Sequence, residues 1–174
     1  MADALTPPLD AADHVAGPAD APLELVMFGD FQCPYCAAAQ GPVRRVRERL
    51  EGRLRFAFRH LPIVEVHPDA QRAAEASEAA AAQESFWAMH DALYAARGQL
   101  SPADLIRHAG GLSLDTRRLG AELDAGTHAA RVARDVASGA ASGVAGTPTF
   151  FINGLRHADA FDARTLIDAL AARA

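Results

Sequence analysis

The feature of the sequence that most limits its fold is a strand–helix–strand pattern over residues 23–60. Residues 23–28, LELVMF, form a nearly continuous apolar run of strand length, which is typical of a strand buried on both faces. Apolar residues then recur at helical spacing and predict a helix over residues 34–51. In residues 53–59 large apolar side chains take alternate positions between arginines, which indicates a half-buried second strand. A connection of this length predicts a right-handed crossover between two parallel strands.

The rest of the chain is predicted to add a block of helices and a β-hairpin. Helical patterns follow one another between residues 68 and 143. Asn153-Gly154 is a strong two-residue turn signal between strands over residues 149–152 and 155–158. The predicted N-terminal caps of the later helices are Ser101, Asp115, Thr127 and Asp162. The predicted order is therefore β-α-β, a helical block, a β-hairpin and a last helix, which is an α/β fold with one four-stranded sheet.

Both cysteines of the chain lie where the first predicted strand ends and the first helix begins. Sites in open α/β sheets lie at this carboxyl edge. The free N–H groups and the dipole of a helix N-terminus stabilise an anion, so we expect the pKa of Cys33 to fall below its free value of about 8.5. Cys36, one turn later, is expected to point back toward Cys33 and to be more buried. Pro34 suits the first turn, because no hydrogen bond is needed there.

The cysteine pair has three conceivable uses: a redox couple, half of a metal site or an inert structural pair. Zinc would require two further ligands, but the sequence has no second C-x-x-C and its seven histidines form no H-x₃₋₅-H pair. We therefore predict no metal. Two cysteines are also too few for a disulfide scaffold. The position at a strand–helix junction favours the redox couple.

Charge and hydropathy argue against other classes of protein. The net charge of -5 gives no electrostatic case for nucleic acid. Arginines cluster at positions 44, 45, 47 and 49, but glutamates at 48 and 51 interrupt them, which is typical of a solvated helix face. No run of about 18 apolar residues predicts membrane insertion. The N-terminus lacks the regions of a signal peptide, which predicts a cytoplasmic protein, or a periplasmic or otherwise extracytoplasmic one if this is a mature form.

Three stretches together resemble the DsbA-like branch of the thioredoxin-fold thiol–disulfide oxidoreductases: FGDFQCPYC, FRHLP…HPDAQRAAEA…FWAMHDALY and SGVAGTPTFFING. The similarity covers roughly residue 13 to the C-terminus. It implies a thioredoxin-like domain made of residues 13–62 and 143–174, with an all-helical insertion over residues 63–142. Residues 1–12 are expected to form a mobile N-terminal tail.

The same resemblance implies roles for individual residues. Cys33 would be the exposed attacking cysteine and Cys36 the resolving one, in a redox-active disulfide that needs no other cofactor. Pro34 and Tyr35 lie between them. Thr147 and Pro148 match the loop that holds a cis-proline facing the disulfide.

Two positions depart from the family's pattern. Members commonly place a buried acid six residues before the first cysteine, where this chain has Met27. Glu24 lies on the opposite face of the strand and Asp30 lies in the loop, so neither takes that place directly. Strongly oxidising members carry a histidine between the cysteines, where this chain has Tyr35. We therefore hypothesise a less oxidising couple than that of the Cys-Pro-His-Cys enzymes.

The sequence thus predicts a monomeric enzyme that exchanges disulfides with protein or peptide substrates. Its redox partner would be a reductase, glutathione or a membrane oxidase. One alternative is a glutathione-linked disulfide reductase. Another is a non-enzymatic redox-sensing or regulatory module, of the kind that is sometimes fused to a membrane transporter.

Overall fold

The computed structural model describes residues 3–173, which contain one five-stranded mixed sheet. Its strands are β1 (His14–Ala16), β2 (Leu23–Gly29), β3 (Leu54–His60), β4 (Thr149–Ile152) and β5 (Leu155–His157). They lie in the order β1-β3-β2-β4-β5. β2 and β3 are parallel over their full length, whereas β4 runs antiparallel to both β2 and β5. These pairings confirm the predicted crossover and hairpin.

The helices of the described residues follow the predicted order. They are α1 (Pro34–Arg49), α2 (Ala70–Ala81), α3 (Phe86–Ala95), α4 (Pro102–Gly111), α5 (Thr116–Ala125), α6 (Ala129–Ala141) and α7 (Ala163–Ala171). None of them is long and apolar enough to cross a membrane. The helices α2 to α6 lie between β3 and β4 in the chain. Many of their buried side chains join those of the sheet in a single hydrophobic cluster. The division of the chain into a domain and an insertion stays a prediction.

Three of the four predicted caps accept a backbone hydrogen bond. Ser101 forms a reciprocal capping box with Asp104, and the carboxylates of Asp115 and Asp162 accept the backbone N–H three residues later. The prediction for Thr127 is wrong, since the residue before α6 is His128. Thr127 belongs to the end of α5 instead, because its N–H donates to the Glu122 carbonyl behind a left-handed glycine.

The alternation of side chains along β2 explains why this strand is buried on both faces. Leu25 and Met27 point into the main cluster, which side chains of α1, α7 and the helices α2 to α5 complete. Val26 and Phe28 point the other way, into a smaller cluster with Phe151 of β4. Both faces of the central strand are therefore covered, as the apolar run predicts.

The N-terminal segment covers part of the second face, and this corrects the expectation of a mobile tail for residues 3–12. Leu5 is buried against the smaller cluster, and its N–H donates to the carbonyl of Gly154. Further along, a bidentate ion pair joins the Asp13 carboxylate to Arg59 of β3, with both N–O distances 2.8 Å. Met1 and Ala2 lie outside the described residues. The strand β1, which follows this segment, is absent from the prediction.

Candidate active site

The cysteines lie at the carboxyl end of β2, as predicted. After Gly29 ends the strand, residues 30–33 form a short loop, and Cys33 occupies the N-cap position of α1. Pro34 is the first residue of the helix and Cys36 lies in its first turn. Both cysteines are free thiols, so the structure represents the reduced pair.

The surroundings of Cys33 favour its thiolate form. The hydrogen bond from the Cys36 thiol is the largest influence, and burial opposes it; the Thr147 side chain and two backbone N–H groups then add to the stabilisation. Together these groups lower the pKa of Cys33 to about 5, from an ordinary value of 9.0. Cys33 is therefore an anion near neutral pH, which is the form that attacks a disulfide.

Cys36 has the opposite preference. Its side chain has no exposed surface, and burial raises the pKa of its thiol far above the ordinary value. The hydrogen bond to Cys33 raises this pKa further, because the Cys36 proton is shared with the neighbouring sulfur. The two sulfurs thus form one thiolate and one protonated thiol.

The exposure expected for Cys33 is not found. Only 4% of its surface is accessible, and its Sγ lies 3.6 Å from the carbonyl oxygen of Thr147. The loop at Thr147 therefore lies against the sulfur. Cys33 does line a groove of about 750 Å³ between α1 and the end of α3, here called the α1–α3 groove, and this groove gives access to the site.

The other predicted site residues surround the pair. The Thr147–Pro148 peptide bond is cis, as the resemblance implies. The Thr147 hydroxyl is buried. It lowers the pKa of both cysteine thiols. Tyr35 is 68% exposed, so its side chain borders the site without covering it.

The carboxylate of Asp30, expected from the sequence only to lie in the loop, holds the cysteine loop in position. Asp30 is buried, and it accepts hydrogen bonds from the N–H of Gln32 (2.7 Å), the N–H of Ile63 (2.9 Å) and Nδ1 of His67 (2.8 Å). The Gln32 side chain also exchanges two hydrogen bonds with Asp69, just before α2. These contacts tie the loop to residues 63–69. The residues joined by these contacts, apart from the bond between Gln32 and Asp30, lie more than thirty residues apart in the chain, so no local pattern reveals them.

No acid replaces Met27 among the described residues. Met27 is fully buried, and its sulfur lies 3.9 Å from Nε2 of Gln40. Glu24 is engaged in an ion pair with Arg55 at 2.7 Å. Tyr94 of α3 is a buried phenol that lines the α1–α3 groove. Burial and the negative charge of the cysteines raise the pKa of Tyr94 well above its ordinary value, so its hydroxyl stays protonated.

One group of possible metal ligands gathers away from the cysteines, although the spacing of the histidines gives no sign of it. His14, His60 and Glu78, from β1, β3 and α2, bring their ligand atoms within 4.8 Å of one another. Both Nε2 atoms bond the same Glu78 oxygen, at 2.8 and 2.7 Å, and the Arg131 guanidinium lies 4.0 Å from it. A cation beside the carboxylate disfavours a metal ion. We interpret the group as a buried hydrogen-bond network around the Glu78 carboxylate.

Comparisons with known proteins agree with this architecture. A family model described as thioredoxin matches residues 10–171. Oxidised BdbD from Bacillus subtilis superposes with a TM-score of 0.85 at 23% identity, covering 93% of this chain and 92% of that one. A thioredoxin-like oxidoreductase from Silicibacter pomeroyi DSS-3 gives a TM-score of 0.84 at 28% identity, covering 94% and 92%. The fold is therefore thioredoxin-like.

Sequences with higher identity belong to much longer proteins. The chain is 46% identical over 164 residues to Na(+)/H(+) antiporter NhaA 1 of Salinispora arenicola, covering 94% of this chain and 25% of that protein. It is 44% identical over 169 residues to Na(+)/H(+) antiporter NhaA of Herminiimonas arsenicoxydans, covering 97% and 27%. The chain thus spans about a quarter of the length of these relatives.

Proposed function

The chain belongs to the thioredoxin family, and we propose that it is a thiol–disulfide oxidoreductase that acts on protein or peptide substrates through Cys33 and Cys36. The observation that carries the proposal is that the pKa values of the two thiols are shifted in opposite directions: the pKa of Cys33 is lowered to about 5, whereas that of Cys36 is raised. Exchange requires a thiolate to attack and a second thiol held in reserve. The similarity to a thioredoxin-like oxidoreductase supports the same activity.

The roles of the two cysteines follow from this difference in pKa. In the reducing direction the Cys33 thiolate attacks one sulfur of a substrate disulfide, and the other substrate sulfur leaves as a thiolate. Cys36 then loses its proton and attacks the Cys33 sulfur, which releases the second substrate thiolate and forms the Cys33–Cys36 disulfide. Two electrons pass from the protein to the substrate. The reverse sequence oxidises a substrate dithiol.

Serine substitutions separate the two roles. Cys33→Ser should abolish reduction of insulin and oxidation of a dithiol peptide, because no thiolate remains to attack. Cys36→Ser should instead accumulate mixed disulfides at Cys33 that dithiothreitol releases. If the Cys33→Ser protein still turned over either substrate, the proposal would be wrong.

A second candidate, a regulatory redox module, is favoured by the lengths of the relatives. The chain matches about a quarter of proteins that are named as antiporters. A module of this kind would change the transport rate of a joined membrane protein when its cysteines change redox state. Transport measured with the pair oxidised, reduced or carrying Cys33→Ser separates the candidates, since an independent enzyme leaves transport unaffected.

We also propose that the protein acts as a monomer in an extracytoplasmic compartment, with a dedicated redox partner. Disulfides persist in such compartments, and each catalytic cycle leaves the pair in a state that a partner must reset. Thiol alkylation in fractionated cells tests this. A pair found fully reduced in the cytoplasmic fraction contradicts the location.

A further inference from the structure

The α1–α3 groove carries charges that disulfide exchange does not use. Cys33 lines this groove together with Arg44 and Arg47 of α1 and Arg97 of the turn after α3. The acid in the lining is Asp91. Three arginines against one aspartate leave two positive charges in excess, in a chain whose net charge is -5.

These three guanidinium groups form no salt bridge or side-chain hydrogen bond within residues 3–173, whereas Arg55 and Arg118 each pair with a glutamate at 2.7 Å. The Arg47 guanidinium lies 5.5 Å from the ring centroids of Phe56 and Trp87, which position it without supplying an anion. Besides the hydrogen bond from His90, the charges of Arg47 and Arg44 help to lower the pKa of Asp91, but neither arginine forms a salt bridge with this carboxylate. Asp91 is already bonded to Nδ1 of His90 at 2.8 Å.

We propose that the α1–α3 groove binds an acidic segment of a substrate polypeptide that lies beside the reacting cysteine. Guanidinium groups bind carboxylates through paired, charge-assisted hydrogen bonds, so arginines that line the groove without a salt-bridge partner select for aspartate and glutamate. The inference rests on the proposed exchange function and names its substrate class. The arginine cluster of α1 is therefore only partly a solvated face: Arg44 and Arg47 line the groove, whereas Arg45 donates to the Gly41 carbonyl of its own helix.

The length of the groove favours a polypeptide over a small thiol. Cys33 and Arg44 are eleven residues apart along α1, which is about 16 Å at the helical rise. An extended chain covers this distance in about five residues, and fewer once the arginine side chain leans back toward the helix N-terminus. Glutathione spans about 10 Å even when extended. We therefore place the carboxylates about three to five residues from the substrate cysteine.

Dithiol peptides of equal length provide the test. Aspartate, asparagine or lysine occupies the third to fifth positions on both sides of the cysteine pair, and the oxidised protein is the oxidant. The peptide thiolate attacks the Cys33 sulfur and Cys36 leaves as a thiolate; the second peptide thiol then releases Cys33 and closes the peptide disulfide. We expect the aspartate peptide to react about tenfold faster than the lysine peptide at low salt, with a smaller ratio at high salt.

Arginine variants locate the effect. The double variant Arg44→Ser and Arg97→Ser should bring the ratio close to one. The matched double variant Arg45→Ser and Arg49→Ser also removes two positive charges, from positions of α1 that do not line the groove, so it should leave the ratio unchanged. Equal loss in both variants would mean that net charge, not the groove, selects the substrate, and would overturn the inference.

The remaining outcomes separate this inference from the proposed function. If the asparagine peptide reacts but the aspartate peptide is no faster, the exchange function stands and the acidic specificity is wrong. If none of the peptides reacts, the exchange function itself fails. S-methylglutathione, which cannot exchange disulfides, serves as a competitor. A cysteine-free acidic peptide is the second competitor, and it should slow the reaction of the aspartate peptide more strongly than S-methylglutathione does. Equal inhibition by the two compounds would indicate that the groove binds a small glutathione-like molecule, and would overturn the polypeptide assignment.

Discussion

Replacing Cys36 by alanine removes the hydrogen-bond donor that contributes most to the Cys33 thiolate. The Cys36 thiol is the first among the groups that lower the pKa of Cys33, ahead of the Thr147 side chain and two backbone N–H groups. Alanine fits the buried position and leaves those other donors in place. The substitution therefore isolates the contribution of one S–H group.

The expected change follows from the size of the whole effect. A pKa that falls from 9.0 to about 5 corresponds to about 5 kcal/mol in favour of the thiolate. A hydrogen bond to a charged group contributes about 1.5–3 kcal/mol. Loss of the Cys36 donor should thus raise the pKa of Cys33 by about one to two units, to between about 6 and 7. Cys36→Ser keeps an O–H donor and should give an intermediate pKa.

Ultraviolet absorbance of the thiolate, followed against pH in the reduced proteins, measures this pKa directly. The rate of alkylation by iodoacetamide against pH gives a second measurement. We expect the order wild type, Cys36→Ser, Cys36→Ala from lowest to highest pKa. A Cys36→Ala protein with the wild-type pKa would refute the reasoning, because the backbone N–H groups and Thr147 would then hold the thiolate without Cys36.

Three further predictions concern stability and redox poise. Because the pKa of Cys33 is lowered on folding, its contribution to the stability of the reduced protein is fully present above about pH 9 and is lost as the pH falls to about 5. In urea unfolding, the free energy of unfolding of the reduced protein should therefore fall toward that of Cys33→Ser as the pH is lowered across that range. A difference between the two proteins that does not change with pH contradicts this. Asp13→Ala leaves a buried arginine unpaired and should cost about 3–5 kcal/mol in thermal or urea unfolding. Asp10→Ala breaks an exposed pair and should cost far less than Asp13→Ala, and equal costs would argue against the buried pair. Tyr35→His should raise the reduction potential by about 30 mV for each pKa unit that an imidazolium takes from Cys33, measured against a glutathione buffer. An unchanged or lower potential would remove the basis for calling the couple less oxidising.

The elements that the sequence predicts correctly are those whose signal is local. The apolar run of β2, the alternation of β3 and the Asn153-Gly154 turn each specify a strand or hairpin within a few residues. The strand β1 has three residues and no periodicity, and it exists because its backbone pairs with β3. The anchoring of the N-terminal segment depends on Arg59, far along the chain, so no local pattern could indicate it.

The site divides in the same way. The apolar strand, the spacing of the cysteines and the start of the helix are local signals, and they place Cys33 and Cys36 correctly. The position of Cys33 at a helix N-terminus also predicts correctly that its pKa is lowered. The low exposure of Cys33 could not be predicted, because it results from a loop more than a hundred residues away. It is also tertiary structure that leaves the arginines of the α1–α3 groove without a salt bridge among residues 3–173. A run of arginines in the sequence does not show which of them form salt bridges in the folded protein.

The helices between β3 and β4 help to build the active site. The loop that carries Cys33 is held through Asp30 and Gln32, and their partners at Ile63, His67 and Asp69 all lie just before α2. Buried carboxylate hydrogen bonds of this kind fix a loop, since each lost bond leaves a polar group without a partner. The geometry that lets Cys36 donate to Cys33 therefore depends on residues 63–69 as well as on the C-x-x-C motif. This dependence, together with the groove wall that α3 contributes, makes the segment between β3 and β4 part of the candidate active site.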